Sequence, residues 1–206
     1  MTVKEKQHSG ALYEPFDEEI LKEQLVFLDS LKEYNEIPHV RLAEREEKLR
    51  GMLAEAGEGC YVESPFYANF GGRNVHFGKG VYANFHLTLV DDTHIYVGDY
   101  TMIGPNVTIA TAGHPIDPEL RRKGLQYNMP VRIGKNCWLG AGVIVMPGVT
   151  IGDNTVIGAG SVVTRDIPSG VVAVGNPCRV MREVGERDRE FYFRDRKIDP
   201  GFFEKN

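Results

Sequence analysis

A six-residue aliphatic period limits what this chain can fold into. Six aliphatic residues stand at equal steps in the second half of the sequence: Ile133, Leu139, Val145, Ile151, Ile157 and Val163. Such a period fits neither the 3.6-residue turn of an α-helix nor the two-residue alternation of a β-strand. It indicates a chain that runs straight briefly and then turns a corner. Three such steps make one triangular coil, and stacked coils bury a continuous aliphatic column.

The period extends upstream of this region. Five earlier residues keep the same spacing: Phe77, Leu89, Val97, Ile103 and Ile109. Two extra residues, placed around Asp91 and Asp92, shift the frame between Leu89 and Val97. Glycine follows several of the aliphatic residues, and glycine permits the positive φ angle that a tight corner requires. The sequence therefore predicts coils from residue 61 to residue 182.

The stretch TIATAGHPIDPELRRKG, residues 108–124, breaks the period. Polar residues replace the aliphatic step, and a lone histidine, His114, stands near the start of the break. We expect an excursion loop over about 113–130 that leaves the stack of coils and folds over a site. Loops on a rigid scaffold are where binding and catalytic residues concentrate.

Residues 1–60 have a charged, helical pattern. In DEEILKEQLVFLDSLKEYN, apolar residues at three- and four-residue spacings form one stripe of a helix: Ile20, Leu21, Leu25, Leu28 and Leu31. Pro38 closes this helix, because its ring opposes a continuing helix. A second helix is predicted over RLAEREEKLRGMLAEAG, with Gly57 as its C-cap. Residues 183–206 form a charged C-terminal tail that includes the aromatic run FYF.

Bulk composition excludes several classes of protein. The 206 residues carry a net charge of −5, which does not suggest a nucleic-acid-binding surface. The three cysteines are far apart and form no Cys-x-x-Cys pair, so we expect reduced thiols, no metal site and a cytoplasmic location. The N-terminus lacks the apolar core of a signal peptide, and no uncharged apolar run approaches the ~18 residues of a membrane span.

The motifs resemble one family. They are YANF at 82–85, VDD at 90–92, GPNVTI at 104–109, GHP at 113–115, the long run from IGKNCW to TRDIP, GNPCRVMRE at 175–183, and SGALY near the N-terminus. Together they are similar to the maltose and galactoside O-acetyltransferases, a branch of the hexapeptide-repeat acyltransferases. The resemblance implies a mainly β fold, a left-handed parallel β-helix with an N-terminal helical segment, and a homotrimer with active sites between subunits. It also implies acetyl transfer from acetyl-CoA to the 6-hydroxyl of a glucosyl or galactosyl sugar.

The resemblance also assigns roles to residues. His114 falls on the position of the family's catalytic base, which removes a proton from the attacking hydroxyl, and histidine suits this role because its pKa lies near cellular pH. The alternative is a surface histidine in a loop. We expect direct transfer without an acyl-enzyme, because Cys137 occupies the small-residue position of its repeat and is interpreted as filling a corner.

Two groups of binding residues follow from the same motifs. The acceptor side comprises Asp17, Asn69, Asn84 and Asp92, whose carboxylates and amides match sugar hydroxyls. For Asn84 and Asp92 the alternative is a corner residue that bonds its own backbone, and for Asp17 it is a helix cap. The donor side comprises Trp138, Ala141, Ala159, Thr164, Arg165, Arg179 and Arg182. The arginines suit phosphate oxygens, and their alternative is a solvated basic face.

Other functions remain open at this point. One is a hexapeptide acetyltransferase for a non-sugar acceptor, such as an antibiotic or serine. Another is a metal lyase like the γ-type carbonic anhydrases, which bind zinc through histidines on the same fold. The candidate ligands would be His76, His86, His94 and His114, but their spacings do not predict one shared face in successive coils. A third is a catalytically silent scaffold, against which the intact His114 and donor-side motifs argue.

Overall fold

The computed structural model describes residues 1–203, which form a coil of short parallel strands preceded by helices. Three helices come first: α1 (Val3–Gln7), α2 (Glu18–Glu36) and α3 (Leu42–Met52). The strands that follow build three parallel sheets, one on each side of a triangular coil. We name these sheets face A, face B and face C, in the order in which the chain visits them.

Each face is a stack of strands from successive turns. Face A consists of β1 (Glu55–Ala56), β4 (Val75–Phe77), β7 (Ile95–Val97), β12 (Val131–Ile133) and β15 (Thr150–Ile151). Face B consists of β2 (Tyr61–Val62), β5 (Tyr82–Ala83), β8 (Met102–Ile103), β13 (Trp138–Leu139), β16 (Val156–Ile157), β18 (Val171–Val174) and the antiparallel β19 (Arg179–Glu183). Face C consists of β3 (Tyr67–Ala68), β6 (Thr88–Val90), β9 (Thr108–Ala110), β14 (Ile144–Val145) and β17 (Val162–Val163). A parallel bridge from Ile151 to Ile167 begins the sixth turn.

The predicted aliphatic column is confirmed. Every residue of the six-residue period is at most 3% exposed, and Leu139, Val145 and Ile157 are fully buried. The pairing register shows why, because Ile103, Leu139 and Ile157 lie directly above one another on face B. Full burial of one such side chain stabilises a fold by roughly 1.5–3 kcal/mol. The period therefore marks the core, as the sequence predicts.

Asparagine shares the corners with glycine. Asn106, Asn136 and Asn154 have φ angles of 58°, 51° and 57°, in the left-handed region that asparagine tolerates better than most residues. Asn136 and Asn154 occupy the same corner in successive turns, and their side chains hydrogen-bond at 2.9 Å. These contacts hold the corners of neighbouring coils in register.

The N-terminal helices differ from the predicted ones in two details. The apolar stripe of α2 is divided, since Ile20 is buried whereas Leu25 is 64% exposed. The predicted end of the second helix at Gly57 is wrong, because α3 ends at Met52 and β1 of the coil has already begun at Glu55. Gly57 serves a different purpose, since a Cβ there would lie 2.6 Å from the backbone of Gly78 in the next turn.

Both ends of the coil are covered. At the first turn, the backbone carbonyl of Val62 accepts hydrogen bonds from the Tyr34 hydroxyl at 2.6 Å and Arg45 Nη2 at 2.8 Å. At the last turn, β19 pairs antiparallel to β18. The tail continues with α5 (Glu186–Glu190), the hairpin of β20 (Phe191–Phe193) and β21 (Arg196–Lys197), and a 3-10 turn at Pro200–Phe202. The coil is therefore closed by a helical segment at one end and by an antiparallel strand at the other.

Candidate functional site

The break in the period forms a hairpin that leaves the coil between face C and face A. Its arms are β10 (Ala112–Gly113) and β11 (Tyr127–Asn128), which pair antiparallel, and its tip carries α4 (Pro118–Arg122). The Asp117 side chain caps α4 by accepting hydrogen bonds from two backbone N–H groups at 2.9 and 3.0 Å. The hairpin lies where the sequence predicts an excursion loop.

His114 is exposed and follows β10 directly. Its Nδ1 lies 2.9 Å from the backbone carbonyl oxygen of Leu125 on the returning arm. Because a carbonyl oxygen only accepts hydrogen bonds, Nδ1 carries the hydrogen in this contact, and Nε2 of the neutral ring keeps its lone pair. The hairpin therefore orients the imidazole so that Nε2 is the nitrogen that can accept a hydrogen.

Asp92 and Asn69, two of the predicted acceptor residues, lie together. Asp92 is 6% exposed, and its Oδ2 accepts a hydrogen bond from Asn69 Nδ2 at 2.9 Å. Its Oδ1 accepts one from Gln126 Nε2 at 2.8 Å. Asp92 follows face C at the corner from which the hairpin of His114 also leaves, one turn further along the coil.

The other two predicted acceptor residues make their hydrogen bonds elsewhere. Asn84 Oδ1 accepts a hydrogen bond from the Phe85 backbone N–H at 2.7 Å, as a corner residue would. Asp17 is the N-cap of α2, where its Oδ1 accepts from the N–H groups of Glu19 and Ile20 at 3.1 and 3.3 Å. The capping alternative for Asp17 is thus observed, and so is the backbone contact considered for Asn84.

The predicted donor residues Trp138, Ala141 and Ala159 lie along face B and the corner that follows it. Trp138 is 53% exposed on β13. Glycine lets the backbones of successive turns approach closely at this corner. A Cβ on Gly104 would lie 2.8 Å from Ala141 N, and a Cβ on Gly140 would lie 2.6 Å from Ala159 N. The two alanine backbones therefore stack closely in successive turns.

The four remaining donor residues fall into two places. Arg179 and Arg182 lie on β19 of face B, where Arg179 Nη1 donates to the Cys178 carbonyl at 2.7 Å. Arg182 makes two hydrogen bonds to Asp188, at 2.6 and 2.7 Å, and this contact lowers the pKa of Asp188 to about 2. Thr164 and Arg165 are exposed and follow β17, at the corner between face C and face A.

Two corners of the triangle thus carry most of the candidate residues, and the exceptions are Arg179 and Arg182 on β19 and Asp17 at the start of α2. The corner between faces B and C holds Asn84, Ala141 and Ala159, with Trp138 beside it. The corner between faces C and A holds Asn69, Asp92, Thr164, Arg165 and the hairpin of His114. Face C lies between these two corners, so the two groups of residues stand at opposite ends of its strands.

Comparison with known proteins identifies the family. The family described as bacterial transferase hexapeptide (six repeats) matches residues 130–165, and the maltose acetyltransferase hexapeptide capping motif matches residues 6–57. A galactoside O-acetyltransferase of Lactococcus lactis subsp. lactis (strain IL1403) is 54% identical over 93% of this chain and 93% of its own length. The chain belongs to the maltose and galactoside O-acetyltransferase family.

Solved structures of this family share the fold of the chain. A galactoside acetyltransferase in complex with coenzyme A matches with a TM-score of 0.93 and 44% identity, over 97% of this chain and 99% of that one. A maltose O-acetyltransferase of Clostridium difficile 630 matches with a TM-score of 0.87 and 45% identity, over 90% of this chain and 99% of that one. The parallel coil and the N-terminal helices are therefore features of the family.

The histidines require one correction. The expectation that they do not share a face is wrong for His76 and His94, because His76 Nε2 lies 3.0 Å from His94 Nδ1. The two residues are three six-residue steps apart, but the two extra residues before β7 shift the register, so that His76 pairs with Tyr96 and contacts His94 diagonally. His86 instead stacks on Tyr67, with ring centroids 6.5 Å apart. Within residues 1–203, no group of three or more His, Cys, Asp or Glu side chains is placed to hold a metal ion.

The cysteines lie inside the acetyltransferase coil. Cys137 and Cys178 are 1% and 2% exposed, and burial raises the pKa of each thiol. The Cys137 thiol lies 3.2 Å from the Gly152 carbonyl oxygen and fills a corner, as predicted. Burial therefore disfavours the thiolate form of both. No helix within residues 1–203 combines the length and the apolar character needed to span a bilayer.

Sequence analysis missed four buried polar residues beside Asp92. They are Gln7, Tyr13, Gln126 and Asn128, each at most 6% exposed. Gln126 and Asn128 stand in the excursion, where the six-residue period is interrupted and no longer shows which side chains point inward. The only signal at Tyr13 is its place in the SGALY motif.

Proposed function

We propose that this protein is an acetyl-CoA-dependent O-acetyltransferase that acts on the 6-hydroxyl of a glucosyl or galactosyl sugar. The names of its relatives and the coenzyme A complex of a structural neighbour support the reaction class. The observation that carries the proposal is the orientation of His114, whose Nδ1 is engaged by the Leu125 carbonyl so that Nε2 is free to accept a proton.

The reaction that fits this orientation is direct transfer. Nε2 of His114 takes the proton of the sugar hydroxyl as the oxygen attacks the thioester carbonyl carbon. The tetrahedral intermediate then expels the thiolate of coenzyme A, which receives the proton from the imidazolium. The C–S bond breaks, a C–O bond forms, and the products are the acetyl ester and free coenzyme A. The buried cysteines support the absence of an acyl-enzyme.

The donor side is proposed along face B, at the corner between faces B and C, and at the corner between faces C and A. Trp138, Ala141, Ala159, Thr164, Arg165, Arg179 and Arg182 would contact acetyl-CoA. Among the backbone hydrogen bonds described for residues 1–203, none has the N–H of Ala141 as its donor. A backbone N–H in this position can polarise a thioester carbonyl, and the arginines suit the phosphates.

The acceptor side is proposed around Asp92 and Asn69, with Asn84 and Asp17 completing it from other elements. Each Asp92 oxygen accepts one hydrogen bond from the protein, so each keeps capacity for a sugar hydroxyl. The acceptor residues are therefore arranged to receive hydroxyl donors.

A homotrimer with active sites in the clefts between subunits is the assembly we propose. The separation of the two corners within one chain supports it, because a second copy could supply the missing corner. A left-handed coil, the division into 1–60, 61–182 and 183–206, and a cytoplasmic location belong to the same proposal. Light scattering checks the assembly, since a trimer has a mass of about 69 kDa, three times the 23.1 kDa of the chain. A monomer would contradict it.

The deciding experiment is release of free thiol from acetyl-CoA, measured for the wild type and His114→Ala. The panel of acceptors contains galactosides, glucosides, maltose, serine and chloramphenicol. Release with a sugar, lost in the variant, supports the proposal. Release only with serine or chloramphenicol would instead establish a non-sugar acceptor, and release with none would overturn the acetyltransferase assignment for these substrates.

A further inference from the structure

We propose that Gln126 is a positioning residue that holds the Asp92 carboxylate and the His114 hairpin in one register. This inference rests on the proposed function, in which Asp92 binds the acceptor and His114 is the base. Gln126 touches neither reactant in this assignment. It acts on Asp92 through its side chain and on the hairpin through its backbone.

The Gln126 amide lies in a buried polar cluster. Its Nε2 is 2.8 Å from Asp92 Oδ1, 2.8 Å from the Tyr13 hydroxyl and 2.9 Å from Asn128 Oδ1. An amide NH₂ group has two hydrogens for these three oxygens. The carboxylate is the one charged acceptor among them, so a hydrogen bond to Asp92 is the strongest that the amide can make.

The backbone of Gln126 fixes the position of the His114 hairpin. Gln126 and Tyr13 form an antiparallel bridge, with N–H···O distances of 2.9 and 3.0 Å in the two directions. The residue before Gln126 is Leu125, whose carbonyl accepts the hydrogen bond from His114 Nδ1. The bridge therefore fixes the carbonyl that orients the base as well as the amide that holds the carboxylate.

A second side chain completes the placement of Asp92. Asn69 donates to Oδ2 while Gln126 donates to Oδ1, so the carboxylate is held from both sides. Loss of the Gln126 donor would leave Oδ1 buried without this partner, and the carboxylate would turn to regain one. Turning moves both oxygens away from the positions at which sugar hydroxyls would meet them.

Two substitutions separate positioning from simple structural support. Gln126→Leu replaces the amide donor with an apolar side chain of similar size. Gln126→Glu also lacks a donor when the glutamate is ionised, but a protonated glutamic acid can again donate one hydrogen bond to Asp92. Two like carboxyl groups in contact favour such a proton. Asn35→Leu is the matched control, because Asn35 makes comparable hydrogen bonds to the backbone of Phe66, at 2.9 and 3.1 Å, at the opposite end of β3 from Asn69.

The kinetic experiment measures kcat and KM for the best galactoside and for acetyl-CoA from pH 6 to pH 8.5. For Gln126→Leu we expect acceptor kcat/KM to fall at least ~10-fold at every pH, the scale of one lost hydrogen bond to a charged group, with KM for acetyl-CoA unchanged. For Gln126→Glu the decrease in acceptor kcat/KM relative to wild type should become smaller as the pH falls. The proposal would be overturned if both Gln126 variants showed the same decrease in kcat/KM at every pH. It would also be overturned if Asn35→Leu showed an equal decrease.

The other titratable groups at the cluster are common to every variant. Burial raises the pKa of Tyr13 to about 12 and that of Asp91 to about 6, and ratios to wild type at the same pH cancel these contributions. A crystal structure of Gln126→Leu gives a readout that does not depend on activity. We expect the Asp92 carboxylate to turn while the coil backbone stays in place. An unmoved carboxylate would refute the positioning role even if no sugar were acetylated.

Discussion

The guanidinium carbon of Arg45 lies 4.6 Å from the centre of the Tyr34 ring, and Arg45 Nη2 donates to the Tyr34 hydroxyl at 3.0 Å. Arg45 is 1% exposed, and these hydrogen bonds go to neutral oxygens. The other acceptors are the carbonyls of Ile37 and Val62 and the hydroxyl of Ser64. A permanent charge is thus held by dipoles and an aromatic face between the helices and the first coil.

Removal of this arginine should weaken the whole N-terminal segment. Arg45→Ala is expected to lower the free energy of unfolding by about 3 kcal/mol, because it leaves several buried oxygens without donors and opens a cavity. Arg41→Ala is the control, since Arg41 forms an exposed ion pair with Glu44 and should change stability by about 0.5 kcal/mol or less. Urea unfolding measures both. Equal midpoints for the two variants would show that the buried contacts contribute nothing.

The role of His114 predicts a large kinetic effect on an intact fold. His114→Ala should lower turnover at least ~100-fold, the scale of a lost general base, and should leave coenzyme A binding and the circular dichroism spectrum unchanged. His39→Ala is the control, because His39 is also exposed but lies between α2 and α3 beside Glu63. A His114→Ala enzyme with more than about a tenth of wild-type turnover would exclude general-base catalysis by this residue.

Arg179 should contribute to the binding of coenzyme A and not to the binding of the sugar acceptor. Arg179→Ala is expected to weaken coenzyme A binding roughly 10-fold or more, which corresponds to one charge-assisted hydrogen bond to phosphate. The KM for the sugar should not change. Titration calorimetry with coenzyme A measures the effect, and Arg194→Ala in the hairpin of the tail serves as the control. Unchanged affinity in Arg179→Ala would remove this residue from the donor site.

Two glycines should respond to the same substitution with opposite signs. Gly140→Ala places a Cβ 2.6 Å from Ala159 N, so we expect a loss of stability of about 1–3 kcal/mol together with weaker coenzyme A binding. Gly51 lies in α3, where an added Cβ would meet no atom of residues 1–203 within 4 Å apart from its chain neighbours and the adjacent helix backbone, so Gly51→Ala should gain about 0.5–1 kcal/mol from helix propensity. Thermal unfolding of both variants checks the signs. A neutral Gly140→Ala would mean that the coils can separate at this corner.

The fold could be predicted from the sequence because a regular coil places an inward-pointing side chain at every sixth residue. Ile133 and Leu139 are two such side chains, and His114 stands where the chain leaves the stack of coils. Contacts that depend on an irregularity could not be predicted in this way. His76 pairs with Tyr96, and not with His94 three six-residue steps along, because two inserted residues change the register. Gln126 reaches Asp92 across a hairpin, where no period relates the two positions.

The candidate site could be predicted only in part from the sequence. Asp92 belongs to a well-matched motif, Asn69 stands where the family often has another small polar residue, and the structure brings the two together. Asp17 matches the family pattern less well, because its spacing from the preceding aromatic residue varies, and a carboxylate before a helix has a capping use that needs no ligand. Side-chain identity alone does not distinguish these two uses, because the same oxygen accepts a backbone N–H or a sugar hydroxyl.

The covered ends of the coil have a consequence for how this protein behaves in a crowded solution. A stack of parallel strands presents unpaired N–H and C=O groups on its first and last turns, and such edges can recruit the edges of other molecules. Here Tyr34 and Arg45 occupy the Val62 carbonyl at one edge, and β19 runs against the strand direction at the other. We expect these contacts to disfavour end-to-end pairing at face B, which leaves the sides of the coil as the surface for self-association.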